Sequence, residues 1–178
     1  IFIRIMKKAV FLDRDGVINK AIVRDGKPYP PPNLEAVEIL AEVKVSMEAL
    51  KASDWMIVVV TNQPDVARGI TSKKEVEKIN NHLKYYLPID IFRTCYHDDK
   101  DFCDCRKPNP GALTSVAKNN NIDLNNSYMI GDRWSDIEAG NRAGCKTFFI
   151  NYSYKEKQPS SYTFQVKSLK EAVNIILG

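Results

Sequence analysis

The sequence predicts an α/β domain with three layers (α/β/α), in which helices cover both faces of a parallel sheet. Short apolar runs rich in β-forming residues alternate with helical stretches along the chain, and this alternation is typical of βαβ units. The runs are apolar at consecutive positions, which indicates strands buried on both faces. Because domains most often contain about 100–150 residues, we expect a single domain over residues 1–178.

The expected elements follow from these runs and from the stretches between them. In chain order, the expected strands are residues 9–12, 56–60, 91–95, 127–130 and 147–150. The expected helices lie near residues 35–53, 72–86, 109–120, 135–143 and 167–177. Thr71 or Ser72, followed by Glu75, resembles a capping box at the start of the second helix. The proline-rich residues 27–32 cannot be helical, and they either wall a ligand site or simply connect the first strand to the first helix.

Composition and charge exclude several classes of protein. The chain is 44% apolar and 27% charged, with no apolar run long enough to cross a bilayer. Its net charge is +4, and its lysines and arginines are scattered among acidic residues. This pattern is poor evidence for nucleic-acid binding. The apolar residues 1–6 are too short for the central segment of a secretory signal. We therefore expect a cytoplasmic protein without a nucleic-acid or membrane partner.

Acidic residues follow the first and fourth expected strands. In open parallel sheets, ligands bind beyond the carboxyl ends of the strands. Asp13 and Asp15 come directly after the first strand, and Asp132 ends the fourth, with Asp136 one helical turn later. Two carboxylates held close together stay ionised only beside a cation or if one of them is protonated. A Mg²⁺ ion with oxygen ligands would meet the first condition; for each residue alone, a solvated turn or a helix N-cap is the alternative.

Polar and basic residues at two further strand–helix junctions are candidates for binding an anion. Thr61 and Asn62 end the second strand, and Arg106 and Lys107 precede the third helix. A hydroxyl and two cations at the edge of a sheet can hold phosphoryl oxygens. Taken singly, the first pair could equally be a turn and the second a solvated surface pair.

Three cysteines and one histidine form two pairs, each spaced by two residues: Cys95 with His97, and Cys103 with Cys105. In an extended chain each pair points to one side, so the loop between the pairs can close a tetrahedral Cys₃His site. A complete set of four protein ligands is typical of structural zinc, and the alternative is a set of buried cysteines without metal. Cys145 is left over and is expected in the core.

In their order along the chain, these features resemble the haloacid dehalogenase superfamily. Longer motifs narrow the resemblance to its phosphatases that act on heptose bisphosphates. They are Phe11-Leu12-Asp13-Arg14-Asp15-Gly16-Val17-Ile18-Asn19, Thr61-Asn62-Gln63, Ala67-Arg68-Gly69 and Cys103-Asp104-Cys105-Arg106-Lys107-Pro108-x-Pro110-Gly111. The resemblance covers roughly residues 8–150. It implies a monomeric cytoplasmic enzyme without a large cap domain, which acts on a small sugar phosphate and supplies activated heptose for bacterial surface polysaccharide.

The resemblance also implies roles for individual residues. Asp13 is the expected nucleophile, which forms an aspartyl-phosphate, and Asp15 is the expected general acid and base. Mg²⁺ is expected to be held by Asp13, Asp132 and the backbone carbonyl of Asp15. Thr61 and Lys107 are expected to hold phosphoryl oxygens as charge spreads in the transition state.

Substrate contacts are expected from Asn62, Gln63, Arg106 and Arg133. Two positions depart from the family pattern. Arg133 stands where many members have lysine, which keeps the charge but changes the geometry. Gln63 is followed by Pro64-Asp65-Val66 rather than by small residues, which weakens the expectation of a substrate contact in this loop.

Three other functions fit parts of the pattern. Histidinol-phosphate phosphatases of the same superfamily can have the same short zinc-loop spacing, but Ala67-Arg68-Gly69 resembles the heptose enzymes. A binding module that has lost catalysis is expected to lack a nucleophile or a metal ligand, and Asp13, Asp15, Lys107 and Asp132 are all present. A phosphatase of nucleic-acid 3′ ends is expected to have a basic groove with aromatic residues, and the sequence has no such stripe.

Overall fold

The computed structural model of the protein describes residues 6–178. Its strands are β1 (Ala9–Leu12), β2 (Ile22–Arg24), β3 (Lys27–Tyr29), β4 (Met56–Asn62), β5 (Ile91–Cys95), β6 (Tyr128–Gly131), β7 (Lys146–Ile150) and β8 (Phe164–Val166). Its α-helices are α1 (Val43–Ala52), α2 (Lys73–Tyr86), α3 (Gly111–Asn120), α4 (Trp134–Ala143) and α5 (Leu169–Leu177). Six strands form one parallel sheet in the order β5-β4-β1-β6-β7-β8, and β2 and β3 form a separate antiparallel hairpin. The expected α/β fold with a parallel sheet is confirmed.

Strand β1 lies in the middle of the sheet and contacts both helix layers. It pairs in parallel with β4 on one side and with β6 on the other. Val10 and Leu12 belong to an apolar cluster that includes residues of α1, α2 and α5. Ala9 and Phe11 belong to a second cluster with residues of α3 and α4. Because successive residues of a strand point to opposite faces, the apolar run of β1 is buried between two helix layers, as the sequence predicts.

The expected helix over residues 35–53 was wrong in its first half. Leu34–Ala36 form a single 3₁₀ turn, and α1 begins only at its observed start. Between the two, the amide of Leu40 donates to the carbonyl of Ile18 at 2.9 Å, so this segment bonds to the loop after β1 instead of forming helical bonds. Glu42, which precedes α1, has a left-handed backbone with φ of 63°, and this conformation separates the segment from the helix.

The other four helices begin and end within two residues of their expected bounds. Ser72, rather than Thr71, caps α2, since its side chain accepts a hydrogen bond from the amide of Glu75 at 3.2 Å. From residue 6 onward, none of the helices combines the length and apolar character needed to span a bilayer. The expectation that residues 1–6 are not a secretory signal concerns residues outside the described part of the chain, except for Met6.

Two further elements were not expected from the sequence. The hairpin of β2 and β3 turns at Asp25 and Gly26, which have φ of 51° and 79°, and this dipeptide is typical of a type I′ turn. Strand β8 extends the sheet beside β7. Residues 27–30, at and after β3, line an open pocket, so the proline-rich stretch walls a pocket and does more than connect two elements.

Candidate active site

Three neighbouring strands of the sheet end at one pocket. Asp13 follows β1, Thr61 is near the end of β4, and Asp132 follows β6. All three side chains are buried. The open pocket beyond them has a volume of about 390 Å³. Its lining includes Asp13, Asp15, Asn62, Arg106, Lys107 and Arg133. The structure thus brings together residues that four separate sequence motifs supply.

Lys107 joins two buried carboxylates at the floor of this pocket. Its Nζ lies 2.8 Å from Oδ1 of Asp13 and 2.7 Å from Oδ1 of Asp136, and it donates to the carbonyl of Val60 at 2.6 Å. One carboxylate oxygen each from Asp13, Asp132 and Asp136 lie within 4.8 Å of one another. Three buried carboxylates therefore lie close together while Lys107 pairs with two of them, and such an excess of buried negative charge is costly unless a further cation is present.

The pKa values of these groups reflect the excess of negative charge. Burial, followed by the charge of Asp136, raises the pKa of Asp13 to about 7. Burial, followed by the charge of Asp13, raises the pKa of Asp132 well above its usual range. Burial by itself would lower the pKa of Lys107, but the charges of Asp13 and Asp136 outweigh it and raise the pKa. Without a further cation the carboxylates resist ionising together, which is the electrostatic signature of a site suited to a divalent metal.

Asp132 has one carboxylate oxygen left for a ligand. Its Oδ2 accepts a hydrogen bond from the hydroxyl of Tyr154 at 2.9 Å, whereas its Oδ1 is buried and has no hydrogen-bond partner among residues 6–178. Both oxygens of Asp136 are occupied, one by Lys107 and the other by the backbone amide of Arg133 at 3.0 Å. A buried, unpaired acceptor costs about 1–3 kcal/mol, so Asp132 Oδ1 marks the place where a cation fits.

The carboxylate of Asp15 is held separately, at the edge of the pocket. Arg14 donates to its two oxygens from Nε and Nη2, each at 3.1 Å, and Asn19 and Gln63 each donate at 2.9 Å. Arg14 is fully buried, and its Nη1 donates to Oδ1 of Asn80 at 2.9 Å. Asp15 is therefore fixed by side chains, while the other three aspartates form the metal-type cluster.

The end of β4 positions both a hydroxyl and the loop that carries Lys107. Gln63 donates from Nε2 to Oγ1 of Thr61 at 2.9 Å, and Thr61 is buried and is not among the residues that line the pocket. Asn62 forms two hydrogen bonds with the backbone of Lys107, from its Nδ2 to the carbonyl at 2.9 Å and from the amide to its Oδ1 at 3.1 Å. Gln63 is buried and lies beneath Thr61 and Asp15, outside the lining of the pocket.

Two arginines reach the pocket from different loops. Arg106 donates from Nε to Oδ1 of Asp99 at 2.7 Å, and its Nη1 is buried without a hydrogen-bond partner in the described part of the chain. Arg133 is paired with Glu156, with Nη2 2.5 Å and Nε 3.0 Å from Oε2. Both arginines therefore present positive charge to the pocket while a carboxylate holds part of each guanidinium.

The two cysteine-containing pairs meet in one cluster beside the pocket. The Sγ of Cys103 lies 3.7 Å from that of Cys95 and 3.6 Å from that of Cys105, and Cys95 and Cys105 lie 3.0 Å apart. Nδ1 of His97 lies 3.6 Å from the sulfur of Cys95 and 3.4 Å from that of Cys105. None of the cysteines forms a disulfide. A tetrahedral ion with Zn–S bonds of about 2.3 Å sets sulfur ligands about 3.8 Å apart, so two of the three sulfur distances match such an ion and the third is shorter.

The structure brings three residues to the site that were not predicted from the sequence. Asp136 was expected only as a neighbour of Asp132 on a helix face. Its spacing of four residues from Asp132 could have indicated that both side chains face the site. Arg14 lies between two predicted site aspartates, but the sequence pattern predicts no role for it. Tyr154 lies in a loop without periodicity, where no pattern in the sequence pointed to the site.

Comparisons with known proteins agree with this geometry. Residues 104–172 match the HAD-hydrolase-like family model. The chain is 32% identical over 167 residues to the D-glycero-alpha-D-manno-heptose-1,7-bisphosphate 7-phosphatase of Photorhabdus laumondii, covering 86% of this chain and 87% of the relative. It is 31% identical over 175 residues to the D-glycero-beta-D-manno-heptose-1,7-bisphosphate 7-phosphatase of Helicobacter pylori, covering 95% and 97%.

A solved structure has a similar fold. The D,D-heptose 1,7-bisphosphate phosphatase of B. bronchiseptica, crystallised with magnesium and phosphate, superposes with a TM-score of 0.82 at 25% identity. The match covers 96% of this chain and 98% of that one. Together with the sequence relatives, it shows that the chain belongs to this family of HAD-like phosphatases.

Proposed function

We propose that the protein is a Mg²⁺-dependent phosphatase that removes the 7-phosphate of D-glycero-D-manno-heptose 1,7-bisphosphate through an aspartyl-phosphate. The names of the sequence relatives support the substrate. The observation that carries the chemistry is the carboxylate of Asp13, which lines the open pocket while Lys107 holds one of its oxygens at 2.8 Å. A carboxylate fixed in this way beside a cation is suited to covalent attack on phosphorus.

The residues present fit a magnesium ion. Asp13, Asp132 and the backbone carbonyl of Asp15 would hold it, because Mg²⁺ prefers oxygen ligands, and the unpaired Oδ1 of Asp132 supports this set. Asp136 would hold Lys107 instead, since both of its oxygens are already occupied. When bound, Mg²⁺ would offset the repulsion between the nucleophile and the phosphate.

The two chemical steps can be assigned to side chains of this chain. Asp13 attacks phosphorus and the bond from phosphorus to the sugar oxygen breaks, while Asp15 gives its proton to that oxygen. Lys107 and Thr61 hold the other phosphoryl oxygens as charge spreads over them. Asp15, now ionised, then takes a proton from water, whose oxygen attacks phosphorus and frees both inorganic phosphate and Asp13.

Four basic residues around the pocket suit the second phosphate of a bisphosphate. Arg106 and Arg133 are joined in the pocket lining by Lys27 and Arg68. The unpaired Nη1 of Arg106 is a donor without a protein acceptor among residues 6–178, which an anionic oxygen would satisfy.

The two polar residues after Thr61 have different parts in substrate binding. We expect direct substrate contact from Asn62, which lines the pocket. Gln63 would act through Thr61 and Asp15, to which it donates hydrogen bonds.

We also propose that the Cys₃His cluster holds a structural zinc. The support is the convergence of four ligand atoms within 4.8 Å, since a complete protein ligand set is typical of structural sites. Cys105 directly precedes Arg106 and Lys107, so a metal there would fix the loop that delivers both cations.

The proposal includes a monomeric enzyme in the cytoplasm that acts on a small molecule, without a nucleic-acid or membrane partner. None of the four cysteines forms a disulfide, which suits a reducing compartment. The open pocket described above has room for a sugar phosphate.

The test is phosphate release with Mg²⁺ from both anomers of the heptose bisphosphate, beside histidinol phosphate and fructose 1,6-bisphosphate. Asp13→Asn should abolish release, because the amide is a poor nucleophile. Asp54→Asn is the matched control, since Asp54 is exposed at the opposite end of β4, and it should leave release unchanged. Preference for a heptose anomer supports the proposal. Release from histidinol phosphate alone would contradict the substrate, and release that survives in Asp13→Asn would contradict the mechanism.

A further inference from the structure

A loop after β7 crosses the candidate active site. Residues 151–158, here called the C-terminal strap, contain no helix or strand. The hydroxyl of Tyr152 donates to the carbonyl of Gly16 at 3.0 Å, and the amide of Lys155 donates to the carbonyl of Gly26 at 2.8 Å. The strap is therefore tied to the loop after β1 and to the turn between β2 and β3.

Two side chains of the strap bind side chains of the site. Glu156 holds the guanidinium of Arg133, and the hydroxyl of Tyr154 donates to Oδ2 of Asp132 at 2.9 Å. The ring of Tyr154 is 9% exposed, so it has little room to turn away from Asp132. Within the described chain this is the one side-chain hydrogen bond that Asp132 receives, because its Oδ1 has no partner.

We propose that Tyr154 is a positioning residue for the divalent cation, acting through Asp132. The inference rests on the proposed function, in which Asp132 is a metal ligand. By occupying Oδ2, the tyrosine hydroxyl fixes the rotation of the carboxylate and leaves Oδ1 for the cation. Hydrogen bonds to ligating carboxylates orient them before the metal binds, and their loss typically costs about 10–100-fold in metal affinity or activity.

A purely structural role for Tyr154 makes a different prediction. Its ring lies beside that of Tyr152, with centroids 5.5 Å apart, and a core tyrosine would contribute through this packing. Replacement by phenylalanine keeps the ring and removes only the hydroxyl. A role through packing alone would then survive the replacement, and the affinity for metal would stay unchanged.

The experiment measures metal affinity directly on protein that keeps its zinc but is dialysed free of Mg²⁺. Free Mn²⁺ is followed by electron paramagnetic resonance during titration of the wild type, Tyr154→Phe, Asp132→Asn and Tyr162→Phe. Tyr162 is the matched control, because it is exposed and its hydroxyl bonds Gln165, away from the site. Melting temperatures without and with Mg²⁺ are recorded for each variant.

We expect the Kd for Mn²⁺ to rise about 10–100-fold in Tyr154→Phe and to stay at the wild-type value in Tyr162→Phe. Phosphatase activity of Tyr154→Phe should recover as Mg²⁺ is raised, because the defect is in affinity. An unchanged Kd in Tyr154→Phe, with tight binding in the wild type and loss in Asp132→Asn, overturns the inference and leaves the proposed function intact. Equal binding by the wild type and Asp132→Asn overturns the proposed metal site itself, and the inference with it.

Discussion

The side chain of Asp15 is the clearest case in which single residues set the chemistry. As the proposed general acid and base, Asp15 must hold its carboxylate close to the leaving oxygen. Neighbouring side chains with fixed rotamers provide such positioning. Arg14 supplies two of the hydrogen bonds and is itself anchored on Asn80. Because lysine offers no planar fork, Arg14→Lys keeps the charge but loses the paired contact.

Arg14→Lys should therefore slow the hydrolysis of alkyl phosphates much more than that of p-nitrophenyl phosphate, whose leaving group departs without a proton. Since general acid catalysis contributes about 10²–10⁴-fold, we expect a loss of about tenfold or more in kcat/KM for the alkyl substrate, because kcat/KM reports the step in which the leaving group departs. Steady-state kinetics on the two substrates measure the difference, and a melting curve checks that the variant is folded. Equal losses in kcat/KM on both substrates would show that Arg14 does not act through the acid role of Asp15.

Gly16 is a second residue whose identity the site requires. Its φ is +87°, and a Cβ there would lie 2.0 Å from Oδ2 of Asp132. Gly69 is a matched control, since it also has a positive φ, +72°, but a Cβ would meet nothing within 4 Å. Left-handed backbone costs a non-glycine residue about 1–2 kcal/mol. Gly69→Ala should lose about that much stability, and Gly16→Ala clearly more, as measured by urea unfolding; equal losses would rule out the clash.

At the scale of elements, the loop between β5 and α3 links the Cys₃His cluster to Lys107, the lysine proposed to bind phosphate. Cys103→Ser should remove zinc from the purified protein, lower the melting temperature and reduce activity, because Lys107 would lose the support of the ordered loop. Cys145→Ser is the matched thiol control, since Cys145 lies outside the cluster, and it should keep its zinc. Elemental analysis for zinc decides the matter: wild-type protein that carries no zinc, or Cys103→Ser protein that keeps it, would contradict the proposal.

The elements also show how far the sequence could predict the fold and the site. Strands such as β1 and β4 were predicted because buried parallel strands are apolar at every position. Leu34, Val37 and Leu40 have helical spacing, yet they pack against the core from a largely extended segment, so the first helix was predicted too long. The dipeptide Asp25-Gly26 is typical of a tight hairpin turn, but the hairpin of β2 and β3 was not predicted.

The chemistry at the strand ends was predictable because parallel strands bring their carboxyl ends together. The contact of Tyr154 with Asp132 was not, since it joins residues 22 positions apart through a loop without a pattern. Such contacts depend on where the chain returns over the sheet, and local sequence does not encode that path.

At the scale of the whole molecule, β1 joins both helix layers into what we expect to be one cooperative unit. Phe11 lies in the cluster shared with α3 and α4 and is 0% exposed, whereas Phe102, in the loop between β5 and α3, is 92% exposed. Replacing a buried phenylalanine by alanine costs about 3–5 kcal/mol, a large part of the roughly 5–15 kcal/mol that stabilises a typical domain. Exposed positions usually change stability by about 0.5 kcal/mol or less.

Phe11→Ala should therefore shift the entire unfolding transition by about 3–5 kcal/mol, while Phe102→Ala should leave it nearly in place. Denaturation followed in parallel by tryptophan fluorescence and far-ultraviolet circular dichroism measures both variants. Coincident curves would show that residues on the two faces of the sheet unfold together, because agreement between different probes is a test of one-step unfolding. Two separate transitions, with only one of them moved by Phe11→Ala, would mean that the helix layers unfold independently and that the chain is not a single domain.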